Sequence, residues 1–108
     1  MQTYYYVLAS KRYLLEEEPI DEVLKERTRY YQEQEKEIDF WLVPEPAFLE
    51  APELAAAKAK CPQPAAAIVS TQSSFITWLK LRLEHVAVGE FQAPSAAIPD
   101  PLASLASI

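Results

Sequence analysis

Glycine, histidine and cysteine each occur once in this chain of 108 residues, as Gly89, His85 and Cys61. That scarcity excludes several chemistries. A phosphate cradle needs several glycines to bring backbone amides around an anion, a zinc cage needs several thiolates or imidazoles, and a nucleophilic triad needs a base beside its nucleophile. A carboxylate-bridged di-iron site in a bundle needs repeated Glu-x-x-His pairs, and the residue three before His85 is Arg82. One cysteine cannot form an internal disulfide, and no apolar run follows a basic start, so a reducing compartment is expected. Cys61, between an Ala-rich stretch and Pro62, reads as a small core residue rather than a reactive thiol. Long hydrophobic runs are missing too: none approaches the roughly 20 residues needed to cross a bilayer, so membrane association is expected to be peripheral, through a partner.

What is present is apolar and acidic. Half of the residues are hydrophobic and the formal charge is −6. The length suits one domain able to bury on the order of 60 to 70% of its unfolded surface. An acidic chain repels a polyanionic backbone unless its cations are segregated. Here Lys11, Arg12, Lys25, Arg27, Arg29, Lys58, Lys60, Lys80 and Arg82 are scattered, most of them near an acid, so nucleic acid is not an expected partner.

The segment Thr3–Ala9 is aromatic and β-branched with no polar face, which predicts a central strand covered on both sides. Glu16, Glu17 and Glu18 precede Pro19, an arrangement suited to a first helical turn, and predict a helix from about Pro19 to Lys36. Its apolar stripe is Ile20, Val23, Leu24, Tyr30 and Tyr31. A second strand is predicted over Ile38–Val43 and stopped by Pro44 and Pro46, with Ile38, Phe40 and Leu42 on one face and Asp39, Trp41 and Val43 on the other. A short helix follows over Pro52–Lys60, and a third strand over Ala65–Ser70, whose small residues leave room for something large above it. Ser73 or Ser74 is expected to cap a third helix carrying Phe75, Ile76, Leu79, Leu83 and Val86 on one face and ending near Gly89. Residues 90–93 suit a short edge strand. The resulting domain spans 1–93, and 94–108 form a Pro/Ala/Ser-rich tail that is extended, docked or disordered. Strand direction cannot be read from these linkers.

Arg82 is the residue that a bland apolar helix would not carry. On a helical wheel it lies one turn from both Phe75 and Trp78. An Arg held against aromatic surface asks for an acid, since losing one partner of a buried pair costs about 3 to 5 kcal/mol. Asp39 is the expected partner. The structural reading is an ion pair joining helix to sheet; the functional one is a part-exposed patch of Asp39, Phe40 and Arg82 that anchors another protein. Arg27 repeats the pattern on the long helix, where snorkelling at the edge of a packed face accounts for it. Tyr4, Tyr5, Tyr6, Tyr30 and Tyr31 are core or interface material first, and the lining of a pocket for a flat ligand second. Glu16, Glu17 and Glu18 read as a solvated helix entry rather than a cation site. Many glutamates are present, but nothing selects two as a hydrolytic pair.

Longer blocks are more specific. Residues 4–10 (YYYVLAS), 14–19 (LLEEEP), 37–43 (EIDFWLV), 61–68 (CPQPAAAI), 75–84 (FITWLKLRLE) and 98–102 (IPDPL) together resemble one family. It is the small accessory protein of the oxygen-dependent magnesium-protoporphyrin IX monomethyl ester cyclase of cyanobacteria and plastids. The resemblance covers nearly the whole chain, and only the tail after Ile98 adds little. It implies an α+β domain with a three- to four-stranded, mainly antiparallel sheet flanked by about three helices. It also implies a non-catalytic subunit or assembly factor without a cofactor or metal of its own, supporting isocyclic ring formation in chlorophyll biosynthesis by contact with the di-iron cyclase, and with other enzymes of that synthesis as further possible partners. Asp39, Phe40 and Arg82 match the family's cyclase-contacting positions. The implied location is the cyanobacterial cytoplasm or plastid stroma, at the thylakoid through the cyclase. Met1 lies two residues before the first predicted strand, so no transit peptide is expected. The competing expectation is a tetrapyrrole carrier working through its tyrosines.

Overall fold

The computed structural model describes residues 1–18 and 20–106. Four strands, β1 (Gln2–Ser10), β2 (Phe40–Pro44), β3 (Ala65–Ser70) and β4 (Ala87–Ala93), form one sheet in the order β2-β3-β1-β4. Every neighbouring pair is antiparallel, which gives the α+β fold that the family resemblance implied. The aromatic segment predicted as a central strand is interior, between β3 and β4.

Alternation along the strands divides the core in two. Tyr4, Tyr6 and Leu8 of β1, Trp41 and Val43 of β2, Ala65, Ala67 and Val69 of β3, and Phe91 of β4 face one layer. That layer consists of two 3₁₀ turns (Ala47–Glu50 and Pro52–Leu54), the helix α2 (Ala55–Lys60), and the tail. Tyr5, Val7, Ala9, Phe40, Leu42, Ala66 and Ile68 face the other layer, made of a π-helical turn (Tyr13–Glu17), α1 (Asp21–Glu33) and α3 (Ser73–Arg82). The room predicted above the alanines of β3 is used on the first face, where Phe48 joins their cluster and is fully buried. Cys61 is buried there as expected, and burial pushes its thiol pKa up, away from the range of reactive thiolates.

The helices differ from expectation at their ends. The predicted start of α1 at Pro19 lies outside the described residues; the helix runs from Asp21 and stops at Glu33, three residues short of Lys36. Glu35 adopts a left-handed φ of 55°, and the amide of Lys36 donates to the Tyr31 carbonyl at 2.9 Å, so a Schellman-type closure ends the helix without a glycine. α3 has Gln72 at its N-cap and no side-chain cap, so neither Ser73 nor Ser74 caps it. Ser70 serves that end instead, its Oγ accepting from the Gln72 amide at 3.0 Å while donating to the Asp39 carbonyl at 2.8 Å. The same helix ends at Arg82, not near Gly89. Leu83 and Val86 fit the helical spacing and are buried, but they are buried from an extended turn because β4 must begin pairing at Ala87.

Gly89 therefore belongs to an edge strand, opposite Tyr6. A Cβ there would lie 2.6 Å from the Tyr6 Cζ, so the missing side chain makes room for the tyrosine ring to lie across the strand. The tail, left open between three states by its composition, is docked over its described residues, 94–106. Ile98 is buried in the first core, the Ala47 amide donates to the Ala103 carbonyl at 2.9 Å, and the Leu105 amide donates to the Glu45 carbonyl at 2.7 Å. Among the described residues no helix is long and apolar enough to cross a membrane.

Candidate protein-docking site

Phe40 opens β2 on the helix-covered face and is buried, not part-exposed as predicted. Its ring meets Tyr31 of α1 edge-on at 5.3 Å and Phe75 of α3 at 5.6 Å. Asp39 immediately precedes the strand, with its carbonyl held by the Ser70 hydroxyl at 2.8 Å and the Thr71 amide at 3.1 Å. Its side chain does not lie beside Trp41 and Val43, as alternation predicted. The carboxylate turns toward α1, where Oδ1 accepts a hydrogen bond from the Tyr31 hydroxyl at 2.8 Å. Strand alternation does not bind a residue that stands just outside the ladder.

Arg82 corrects a second expectation. It is exposed at the last position of α3, with its guanidinium carbon 5.6 Å from the centre of the Trp78 ring, and it forms no ion pair with Asp39 or any other described acid. The cation that Asp39 serves is Arg27. Its Nη2 donates to the Tyr31 hydroxyl at 2.9 Å, and that hydroxyl donates onward to Asp39, so one phenol bridges a guanidinium and a carboxylate.

Arg27 does not snorkel outward. Its guanidinium carbon lies 3.8 Å from the Phe75 ring centre, 5.0 Å from Tyr31 and 5.3 Å from Phe40. A planar, weakly hydrated cation suits such faces better than an ammonium does. Its Nε is buried and has no hydrogen-bond partner among the described residues. Around this cation Tyr31 stays neutral: burial raises its phenol pKa first, the hydrogen bond to Asp39 raises it further, and Arg27 pulls the other way.

The signal for Arg27 was present in the sequence. It sits three or four residues from Val23, Leu24, Tyr30 and Tyr31, at the centre of the apolar stripe of α1, whereas Arg82 stands at the end of its helix. A wheel gives direction around an axis but not distance along it to the neighbouring element. The contact with aromatic rings and Asp39 expected of Arg82 is therefore made by Arg27.

Above Arg27, α1 and α3 leave a groove of 530 Å³. One wall is Val23, Glu26, Arg27 and Tyr30, and the other is Ser74, Phe75, Trp78 and Arg82. Trp78 stacks on Phe75 at 6.2 Å, yet 47% of it is exposed, as is 56% of Tyr30. Leu81, one turn beyond Trp78, is 84% exposed. Glu26 is drawn to Arg29 at 3.4 Å, and among the described residues neither Arg27 nor Arg82 has a direct ion pair, Arg27 meeting Asp39 only through the Tyr31 hydroxyl. Asp39, Phe40 and Arg82 are thus linked rather than contiguous. Two lie beneath the groove and one stands on its rim.

Elsewhere the structure supplies less. The five tyrosines proposed for a flat ligand do not converge: Tyr4 and Tyr6 lie on one side of the sheet, while Tyr5 and Tyr31 lie on the other. Tyr30 stands on the groove wall. Glu16 and Glu17 are exposed and lie 3.9 Å from Arg12. His85 is exposed and touches the edge of Tyr13 at 5.7 Å. No cluster of three or more His, Cys, Asp or Glu suited to a metal occurs among the described residues.

The sequence and the fold both have known relatives. The profile of the Ycf54 protein family matches residues 2–93. A "Ycf54-like protein" of Synechocystis is 70% identical over 105 residues, covering 97% of this chain and 79% of that protein. "Protein YCF54, chloroplastic" of Arabidopsis thaliana is 42% identical over 93 residues, covering 85% of this chain and 43% of that protein. The X-ray structure of a Nostoc protein superposes with a TM-score of 0.96 at 81% identity, covering 97% of both chains.

Proposed function

Because this chain belongs to the Ycf54 family, which has cyanobacterial and chloroplast members, we propose that it is a non-catalytic accessory subunit of the aerobic magnesium-protoporphyrin IX monomethyl ester cyclase. It acts in chlorophyll biosynthesis by holding or maturing the di-iron enzyme during isocyclic ring formation, and it reaches the thylakoid surface through that partner. The observation that supports a docking role is the groove between α1 and α3, where exposed Trp78 and Tyr30 stand beside two arginines that make no direct ion pair among the described residues. Aromatic and arginine side chains in such a setting are the usual anchors of a protein interface.

The test is retention of the cyclase on tagged chain in a cyanobacterial extract. Wild-type protein is expected to retain it. Arg82→Ala is expected to retain much less while its thermal unfolding is unchanged, since the side chain is exposed and makes no ion pair among the described residues. An extract in which the wild-type chain retains no cyclase overturns the reading. The tetrapyrrole-carrier alternative has less support, since its five tyrosines do not converge; a saturable absorbance shift when magnesium-protoporphyrin monomethyl ester is added to the purified chain would favour it.

A further inference from the structure

We infer that the groove receives an acidic side chain carried on a partly apolar helix of the partner protein, that Arg27 is the residue that meets it, and that Asp39, Tyr31 and Phe40 are positioning residues for Arg27. The inference rests on the docking reading above and adds the chemistry of what docks.

The charge arrangement carries the argument. In a chain with formal charge −6, this groove presents two guanidinium groups while its one wall acid is turned toward Arg29. A carboxylate is the group that such a spot favours, and an arginine fork receives it with two parallel hydrogen bonds. Arg27 has donors to give at its outer end: among the described residues Nη2 makes its one hydrogen bond, to a neutral phenol, while Nε is buried and stays out of reach. The rest of the fork is fixed. Phe75 and Phe40 hold its plane, and Tyr31, itself held by Asp39, holds one end. A pre-set fork loses less conformational freedom on binding than a free side chain does.

The apolar part of the occupant follows from what surrounds the fork. Trp78 and, one turn on, Leu81 are exposed on α3, and Tyr30 stands across the groove from Trp78 on α1. A small anion would leave these side chains in water. A helix lying between α1 and α3 would cover them, with apolar residues three or four apart on either side of the acid.

Two measurements on the full chain test this. In cyanobacterial cells carrying a photo-crosslinking residue at Leu81, irradiation is expected to trap a partner segment that has Asp or Glu within one helical turn of apolar residues. In extracts, cyclase retention is expected to fall as salt rises from about 0.05 to about 0.5 M, because screening weakens a charge contact. Arg27→Gln is expected to lower retention about tenfold or more and to remove most of that salt dependence. Arg27→Lys, which keeps the charge but not the fork, should fall between. Tyr31→Phe should weaken retention while near-ultraviolet dichroism shows a folded core, and Asp39→Asn, which can still accept from Tyr31, should lose less than Asp39→Ala.

A trapped acidic segment in a protein other than the cyclase supports the inference and overturns the cyclase reading. A trapped cyclase segment without an acid supports the cyclase reading and overturns the inference. So do folded Arg27 variants with wild-type retention and salt dependence. Trapping of a second copy of this chain, no trapped protein, or an Arg27-dependent tetrapyrrole absorbance shift without a trapped protein also overturns it.

Discussion

The two faces of this sheet are built from the same strands, yet one is closed and the other is not. On the closed face Tyr6, Phe48 and Phe91 form an aromatic cluster with ring centres 4.5 to 6.1 Å apart, and turns, a short helix and the docked tail seal it. On the open face two longer helices stand over the strands, and the space between them holds an arginine rather than a leucine. The closed face shows what apolar burial alone achieves. The other shows a chain that gives up some of that burial to keep a cation in a defined place, which stability alone does not require.

The sharpest way to break the contrast is to open the closed face. Phe48→Ala is expected to destabilise the fold by about 3 to 5 kcal/mol, because a large side chain is lost from a packed site. Thermal and urea unfolding measure it, and a loss near that of an exposed substitution would show that the tail can refill the space. Gly89→Val attacks the same face from its edge, where the new side chain must displace the Tyr6 ring. About 1 to 3 kcal/mol is the expected loss, and pairing it with Tyr6→Ala should recover part of the clash term.

On the open face the order reverses, with small stability effects and large binding effects. Arg27→Leu removes a half-buried cation but leaves half-exposed Asp39 its hydrogen bond from Tyr31, so the melting temperature is expected to fall by less than it does in Phe48→Ala. A fall as large as that of Phe48→Ala would show that Arg27 serves the fold first. The smallest effect concerns pH. The folded phenol of Tyr31 holds its proton above the ordinary value of 10.0, mainly because it is buried. The unfolded chain then releases the proton first as pH rises. Its contribution is therefore complete below about pH 10 and is lost as pH climbs through the folded value. Urea unfolding in that range should show a shallower decline for Tyr31→Phe than for wild type, and identical slopes would remove Tyr31 from the account.

How much of this was written legibly in the chain differs by element. β3 was predicted at its observed limits, Ala65–Ser70, because six small or β-branched residues between prolines and a polar turn leave few alternatives. The interior place of β1 followed from its lack of a polar face. The end of α3 did not follow, because Leu83 and Val86 satisfy a helical period and are pulled into an extended turn by a strand pairing of long sequence separation. The candidate site was half legible. Asp39 and Phe40 do sit beside an aromatic-stacked arginine, but which arginine depends on how α1 lies across the sheet, and no local pattern encodes that placement. The 3₁₀ turns and the docking of the tail depend in the same way on surfaces that exist only after the sheet has formed.

The docking of that tail has a practical consequence. Ile98 and Leu102 carry the chain across the Phe48 side, and Leu105 ends beside Glu45, on the reverse of the molecule from Trp78. A tether or reporter attached after this stretch would hold the protein from behind, like a handle, and leave the arginine-bearing side turned toward whatever is offered to it.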